Sequence, residues 1–324
     1  MTSEKILNEV KYLYRNVLNE MGKVIIGQED IIGSMLISIF TGSHALLEGY
    51  PGLGKTMMVK SLSKTLGMDF GRIQCTPDLM PSDITGTYVI EEDPRTKQKK
   101  FRFQKGPVFT NVLLADEINR ASPKTQSSLL ESMQEVQATI GNNTFPIEPP
   151  FFVLATQNPI EMEGTYPLPE AQLDRFLLKI LVKYPSVEEE DKIIDRFTSE
   201  NEPDVKAVLD KSKIINIQKL TKNIPISNEI RHHALRIVAG TRPSKENKIA
   251  KQYLDYGASP RASIGIVLAS KARALINGRN YVSKDDIETI ALPVLRHRLI
   301  LNFESEREGI TADDVITSII KEVK

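Results

Sequence analysis

The stretch Gly49-Tyr50-Pro51-Gly52-Leu53-Gly54-Lys55-Thr56 meets the pattern G-x-x-x-x-G-K-[ST] at every fixed position. It constrains the fold more than any other segment, because the pattern works in one setting: a strand running into a glycine turn and out into a helix. The flanks supply that setting. Apolar Ala45-Leu46-Leu47 precedes the loop, and Val59, Leu62 and Leu66 follow at helical spacing before Gly67. Glycines let backbone N–H groups turn toward an anion without Cβ clashes, and the helix start adds its dipole. Lys55 then stands where it reaches β- and γ-phosphates, and the Thr56 hydroxyl where it coordinates Mg²⁺. Gly49, Tyr50, Pro51, Gly52, Leu53, Gly54, Lys55 and Thr56 are therefore expected to hold a nucleotide.

A phosphate loop of this kind needs carboxylates at the end of a neighbouring parallel strand. Asn111-Val112-Leu113-Leu114-Ala115 is a compact apolar run that ends in Asp116-Glu117. Asp116 is the expected Mg²⁺ residue opposite Thr56, and Glu117 the base that takes a proton from the attacking water. A second buried strand over 151–155 leads to Thr156-Gln157-Asn158-Pro159. Asn158 either meets the γ-phosphate and its attacking water or simply begins a turn before Pro159.

Length and composition narrow the class. A chain of 324 residues is long enough for one main domain with a smaller one attached. Forty-two basic residues balance forty-two acidic ones, which argues against a surface built wholly for nucleic acid or anionic membrane. Cys75 is the only cysteine, so no internal disulfide or thiolate metal cluster is available, and it reads as a small buried residue. The first residues lack the layout of a signal peptide, and the uncharged segment 31–47 is broken by Ser, Thr, Gly and His. The expectation is a soluble, cytoplasmic protein without membrane insertion.

The rest of the chain alternates strands and helices with two interruptions. Ile6, Val10, Leu13, Tyr14, Val17, Leu18 and Met21 form one stripe of an N-terminal helix. Val24-Ile25-Ile26-Gly27-Gln28 either walls an adenine pocket or is plain packing. Residues 76–83 look like a short capped helix, and hairpins are expected near 87–104 and 136–147. The tip of the first, with Glu91, Glu92 and Asp93 before Arg95, Lys97, Lys99 and Lys100, is either a solvated loop or a projecting working surface. Leu129, Leu130, Met133 and Val136 mark the apolar side of a helix capped by Ser122-Pro123. Beyond 186 the pattern is a series of capped helices, which divides the chain into a nucleotide-binding core, 1–186, and a linker with a helical domain, 187–324. Ser259-Pro260-Arg261 opens the longest of these helices. A cation in a first turn opposes the helix dipole, so Arg261 calls for a nearby phosphate or an acidic partner.

Together these residues resemble an AAA+ ATPase of the MoxR family. The resemblance runs from Val24-Ile25-Ile26-Gly27-Gln28 through the phosphate loop and Leu113-Leu114-Ala115-Asp116-Glu117-Ile118-Asn119-Arg120-Ala121. It continues through Ala155-Thr156-Gln157-Asn158-Pro159 and Gln172-Leu173-Asp174-Arg175-Phe176 to Gly257-Ala258-Ser259-Pro260-Arg261. It implies an α/β fold: an AAA+ phosphate-loop core with a five-stranded parallel sheet between helices, two inserted β-hairpins, and a C-terminal all-α lid. Both hairpins look like insertions shared with magnesium-chelatase ATPase subunits and MCM helicases. The resemblance gives Asn158 the role of sensor 1, Arg261 that of sensor 2, and Arg175 that of an arginine finger entering the neighbouring subunit's site, with Arg120 a second candidate for an inter-subunit contact. ATP and Mg²⁺ are the implied cofactors. The implied partners are further copies of the chain in a hexameric ring and a client protein, alongside a protein with a von Willebrand factor A domain. The implied work is chaperone-like remodelling or assembly, with metal-cofactor maturation as one form of it. The alternatives are an MCM-like nucleic-acid motor, a magnesium-chelatase-like ATPase subunit, and an ATP-gated scaffold that seldom hydrolyses.

Overall fold

A computed structural model describes residues 3–92, 97–159, 164–199 and 204–323. In chain order the strands of the first part are β1 (His44–Glu48), β2 (Phe70–Gln74), β3 (Gly86–Glu92), β4 (Lys99–Lys105), β5 (Val112–Asp116), β6 (Gln137–Ile140), β7 (Asn143–Pro146), β8 (Phe152–Gln157) and β9 (Phe176–Leu181). Five of them form one sheet in the order β2-β5-β8-β1-β9, every neighbouring pair parallel. Alternate residues of the central strands enter different cores. Ala45, Leu47, Val112, Leu114, Phe152 and Leu154 face one, while Leu46, Leu113, Ala115, Val153 and Ala155 face the other. A parallel sheet covered on both faces explains why these strands read as unbroken apolar runs.

The first face is packed by the N-terminal helix Ser3–Met21, the helices Glu29–Phe40 and Lys55–Thr65, and the C-terminal helices, which all share one continuous core. The second face carries the helix Pro123–Glu135 and both hairpins, β3-β4 and β6-β7. Those hairpins meet each other. The rings of Phe103 and Phe145 stack at 4.2 Å, and the Asn143 amide donates to the Tyr88 hydroxyl at 2.7 Å.

Three expectations need adjustment. The capped helix expected over 76–83 is the shorter Pro81–Thr85, because the two prolines and the turn ahead of it leave no earlier start. Val136 does not belong to the apolar face of its helix. It ends that helix in the left-handed conformation (φ 52°) and is 39% exposed, turning the chain into β6. Among the described residues the regular structure of the C-terminal part is helical except for one short antiparallel ladder between Leu254–Tyr256 and Ile300–Leu301. Of the charged tip, Asp93 and Arg95 lie outside the described residues. Among the described residues no helix is long and apolar enough to cross a membrane.

Candidate functional site

The carboxyl ends of β1, β5 and β8 lie side by side, so the loops that leave them share one edge of the sheet. From β1 the chain turns through the glycine loop, with Gly52 and Gly54 at φ +82° and +71°, and enters the helix Lys55–Thr65. Side chains rarely adopt such angles, which is why the loop needs glycine there. Nothing lies within 4 Å of a Cβ built on Gly52, and only the tip of Met57 approaches one on Gly54, so the loop opens onto free space. Across it the Lys55 ammonium donates to the Gly49 carbonyl. Burial pushes the Lys55 amine below its ordinary range, against the opposing pull of Asp116, Glu117 and Glu48. An incoming phosphate would relieve that cost by giving the cation a counter-charge.

Asp116 ends β5, and both of its carboxylate oxygens are engaged. Oδ1 accepts from the Thr156 hydroxyl at 2.6 Å, and Oδ2 from Thr56 Oγ1 at 3.3 Å. Arg72 Nη2 also reaches Oδ2, at 2.7 Å. Glu117 follows with φ 56° and ψ 51°, a left-handed backbone that costs a non-glycine residue of order 1–3 kcal/mol and that clusters at working sites. Its N–H donates to Thr156 Oγ1 at 2.8 Å, so one threonine braces the consecutive acids. Its Oε2 accepts from Gln74 Nε2 and from Arg120 Nη1, each at 3.0 Å. Asn158 stands just beyond the end of β8, 7% exposed.

Beside the glycine loop is a cavity of about 340 Å³. Val24, Ile25, Ile26 and Gln28 form one wall, and Tyr184, Ile193 and Phe197 another. Val24-Ile25-Ile26-Gly27-Gln28 therefore lines a pocket as well as packing. Gln28 Oε1 is buried there with no hydrogen-bond partner among the described residues, an acceptor suited to a donor on a planar base. The open glycine cradle, the lysine bonded to a backbone carbonyl beside it, and this orphaned acceptor fit a purine nucleotide. The Thr56 hydroxyl and Asp116, both oxygen donors, fit Mg²⁺.

The structure thus brings together Gly49 to Thr56, Asp116, Glu117 and Asn158. It places the two expected arginines elsewhere. Arg175 donates through Nη1 to the Leu130 carbonyl at 2.7 Å, lining a separate cavity with Glu131, Gln134, Glu135 and Gln172. Arg261 lies 3.8 Å from Asp174 and is 56% exposed. Sequence reasoning missed Arg72 and Gln74 on β2 and Thr156 on β8. The signal for the first two was available: in Phe70-Gly71-Arg72-Ile73-Gln74 the polar residues fall two apart, on one side of the sheet's edge strand. Cys75 is buried, and burial, with Asp116 and Glu117 adding to it, pushes its thiol up to about 12, which leaves it unreactive.

Comparison with known proteins agrees with this arrangement. Residues 44–178 match the model of the ATPase family associated with various cellular activities (AAA), and residues 246–319 that of the AAA lid domain. The chain is 42% identical over 323 residues to the chaperone MoxR1 of Mycobacterium tuberculosis, covering 99% of this chain and 84% of that one. It is 30% identical over 318 residues to the protein MoxR of Paracoccus denitrificans, covering 92% of each. A crystal structure of a candidate ATPase from Cytophaga hutchinsonii superposes with a TM-score of 0.92 at 43% identity, over 100% of this chain and 98% of that one. A phosphate loop, acidic strand end, five-stranded parallel sheet and lid, matched along nearly the whole length to MoxR proteins, show that the chain belongs to the MoxR family of AAA ATPases.

Proposed function

We propose that the protein hydrolyses ATP with Mg²⁺ in an oligomeric ring, of which the hexamer is the expected form, and uses the cycle to remodel or assemble a partner protein. The observation that carries the proposal is the convergence of Lys55, Thr56, Asp116 and Glu117 on one sheet edge, with Thr56 and Asp116 already 3.3 Å apart. Residues 49–56 hold the phosphates through backbone N–H groups, and Lys55 exchanges the Gly49 carbonyl for phosphate oxygen. Thr56 and Asp116 would hold Mg²⁺, which would supply positive charge to neutralise the phosphates. Glu117 accepts the proton of the attacking water, and Asn158 orients that water or the γ-phosphoryl group. Arg72 pairs with Asp116, while Gln74 and Arg120 bond Glu117, so these three side chains orient the two acids.

Arg175 serves the adjoining subunit. Its bond to the Leu130 carbonyl, and its place just before Phe176, which pairs with His44 at the start of β1 and so away from the phosphate loop, support this role. An arginine supplied in trans contributes about 10³ to 10⁵ in rate in related phosphoryl transfers. Arg261 is the lid's cation for the phosphate. The partner is a client protein, with a von Willebrand factor A domain protein as the expected companion. Support for a protein client comes from the first hairpin, where Ile90 and Phe101 face each other across the ladder and are 63% and 76% exposed. The same hairpin exposes Lys99 and Lys100, the feature that would favour a nucleic-acid motor. A salt-sensitive rise in ATPase rate on adding DNA would select that alternative.

The direct test of the chemistry is Glu117→Gln. Turnover falls by about 10² or more while ATP binding persists. Unchanged turnover would show that Glu117 is not the base.

A further inference from the structure

Thr156 is polar yet fully buried, at the end of the apolar run Phe152–Ala155 of β8. A hydroxyl in such a place has to be bonded as donor and as acceptor, and its partners are the two acids of the site. It gives its one proton to Asp116 Oδ1 at 2.6 Å, and its oxygen receives the Glu117 N–H at 2.8 Å. Where Arg72 bonds Asp116 and Gln74 bonds Glu117, Thr156 bonds both.

The surrounding backbone shows why a side chain holds Glu117 here. β5 and β8 pair in register up to Ala115 and Ala155, and the Asp116 carbonyl accepts from the Cys75 N–H at 2.9 Å. One residue later the chain turns left-handed at Glu117, φ 56° and ψ 51°, and leaves the sheet. The Glu117 N–H then meets the Thr156 hydroxyl in place of a ladder carbonyl. Thr156 itself stays inside the sheet, paired with Leu47 of β1. A group on a strand is held more precisely than one on a loop, so the fixed end of both bonds is the sheet. With Oδ1 held in this way, the Asp116 oxygen turned to Thr56 is Oδ2, 3.3 Å from Oγ1.

We propose that Thr156 is a positioning residue for hydrolysis. Its hydroxyl turns Asp116 Oδ2 toward Thr56, where the pair would hold Mg²⁺, and keeps Glu117 in the left-handed turn from which it acts as base. One hydroxyl thereby sets metal affinity and proton transfer together. The proposal deepens the reading of Asp116 as the Mg²⁺ residue and Glu117 as the base, and rests on it.

The test uses Thr156→Val in the full chain, which keeps the branched shape and removes the hydroxyl. One readout is kcat at saturating Mg²⁺. The other needs no turnover: the Mg²⁺ concentration that gives half-maximal binding of a non-hydrolysable ATP analogue, followed by calorimetry. The valine variant is expected to lower kcat about tenfold or more and to raise the Mg²⁺ half-point about threefold or more. Its affinity for the analogue without Mg²⁺ is expected to stay within about twofold of wild type, because the phosphate loop is untouched. Thr156→Ser restores the hydroxyl at the loss of a methyl group and is expected to recover both readouts to within about threefold of wild type. A serine variant as poor as the valine variant is what packing alone would give, and it would overturn the proposal. So would a valine variant unchanged in both readouts. Where the valine variant fails to fold, Thr156→Cys takes its place, since a thiol fills similar space and bonds weakly. It is expected to shift both readouts in the same directions, and wild-type values from it would overturn the proposal. Glu117→Gln and Asp116→Asn are the controls. If Glu117→Gln keeps full turnover, or Asp116→Asn leaves the Mg²⁺ half-point unmoved, the reading of the acids fails and takes the proposal with it. If both controls respond and Thr156→Val does not, the proposal alone falls.

Discussion

His44 shows how a single side chain joins three elements. It opens β1, buried, where the Val153 N–H donates to its Nδ1 at 2.9 Å and its Nε2 lies 2.9 Å from the Met133 carbonyl. These partners place the proton on Nε2 and leave Nδ1 an acceptor. Burial lowers its pKa to about 4, with the bond to Met133 opposing. The folded state therefore binds fewer protons than the unfolded one between about pH 6.5 and 4. The stability it contributes is complete above that window and is lost as pH falls through it, by up to about 3 kcal/mol. Melting followed from pH 7 to 5 should show this loss, and His44→Gln, less stable at pH 7, should show a shallower fall. At this scale legibility depended on whether chemistry or register sets the residue. Gly49 to Thr56, Asp116 and Glu117 were legible because phosphate and metal binding demand those types at fixed spacing. For Arg72 and Gln74 the sequence offered only their shared side of a strand; their meeting with Asp116 and Glu117 spans 44 and 43 positions of sequence and exists only once β2 and β5 pair.

Among the elements, the lid helix Lys284–Leu295 has a beginning that was readable and an anchor that was not. Ser283 and Asp286 form the capping box expected from their spacing. The same Asp286 side chain, fully buried, also accepts from Arg279 Nη2 at 2.6 Å and Arg273 Nη1 at 2.5 Å. Burial alone would raise its pKa, but the bonds from Arg279, Ser283 and Arg273 outweigh it and hold the carboxyl at about 2. Its contribution is thus present above the ordinary carboxylate range and is lost as pH falls toward 2. Asp286→Ala leaves both arginines without that partner and should cost about 3 kcal/mol, read by chemical denaturation. A cost under 1 kcal/mol would mean that the cap carries the helix by itself. The helix Pro123–Glu135 gives the complementary lesson: apolar spacing ran on through Val136, yet the turn into β6 needs a left-handed residue there, a demand that periodicity does not record.

At the scale of the molecule, the sheet order β2-β5-β8-β1-β9 explains why distant motifs converge, since the loops leaving β1, β5 and β8 are neighbours. Unbroken apolar runs between helical stretches announced the sheet, and two turn-bounded segments announced the hairpins. What no pattern announced is that those hairpins join through Phe103 and Phe145 into one projecting unit on a single face. Nor could spacing separate Arg175 from the phosphate loop, because its orientation follows from packing against Leu130. On the proposed reading of Arg175 as acting in trans, the active site is incomplete within one chain. The most direct measurement is ATP turnover in rings mixed from Arg175→Ala and Lys55→Ala subunits, each inactive alone and each checked for assembly. The account predicts recovered turnover on mixing, as intact phosphate loops of Arg175→Ala subunits meet intact arginines of Lys55→Ala neighbours. Rings that assemble but stay inactive at every mixing ratio would contradict it.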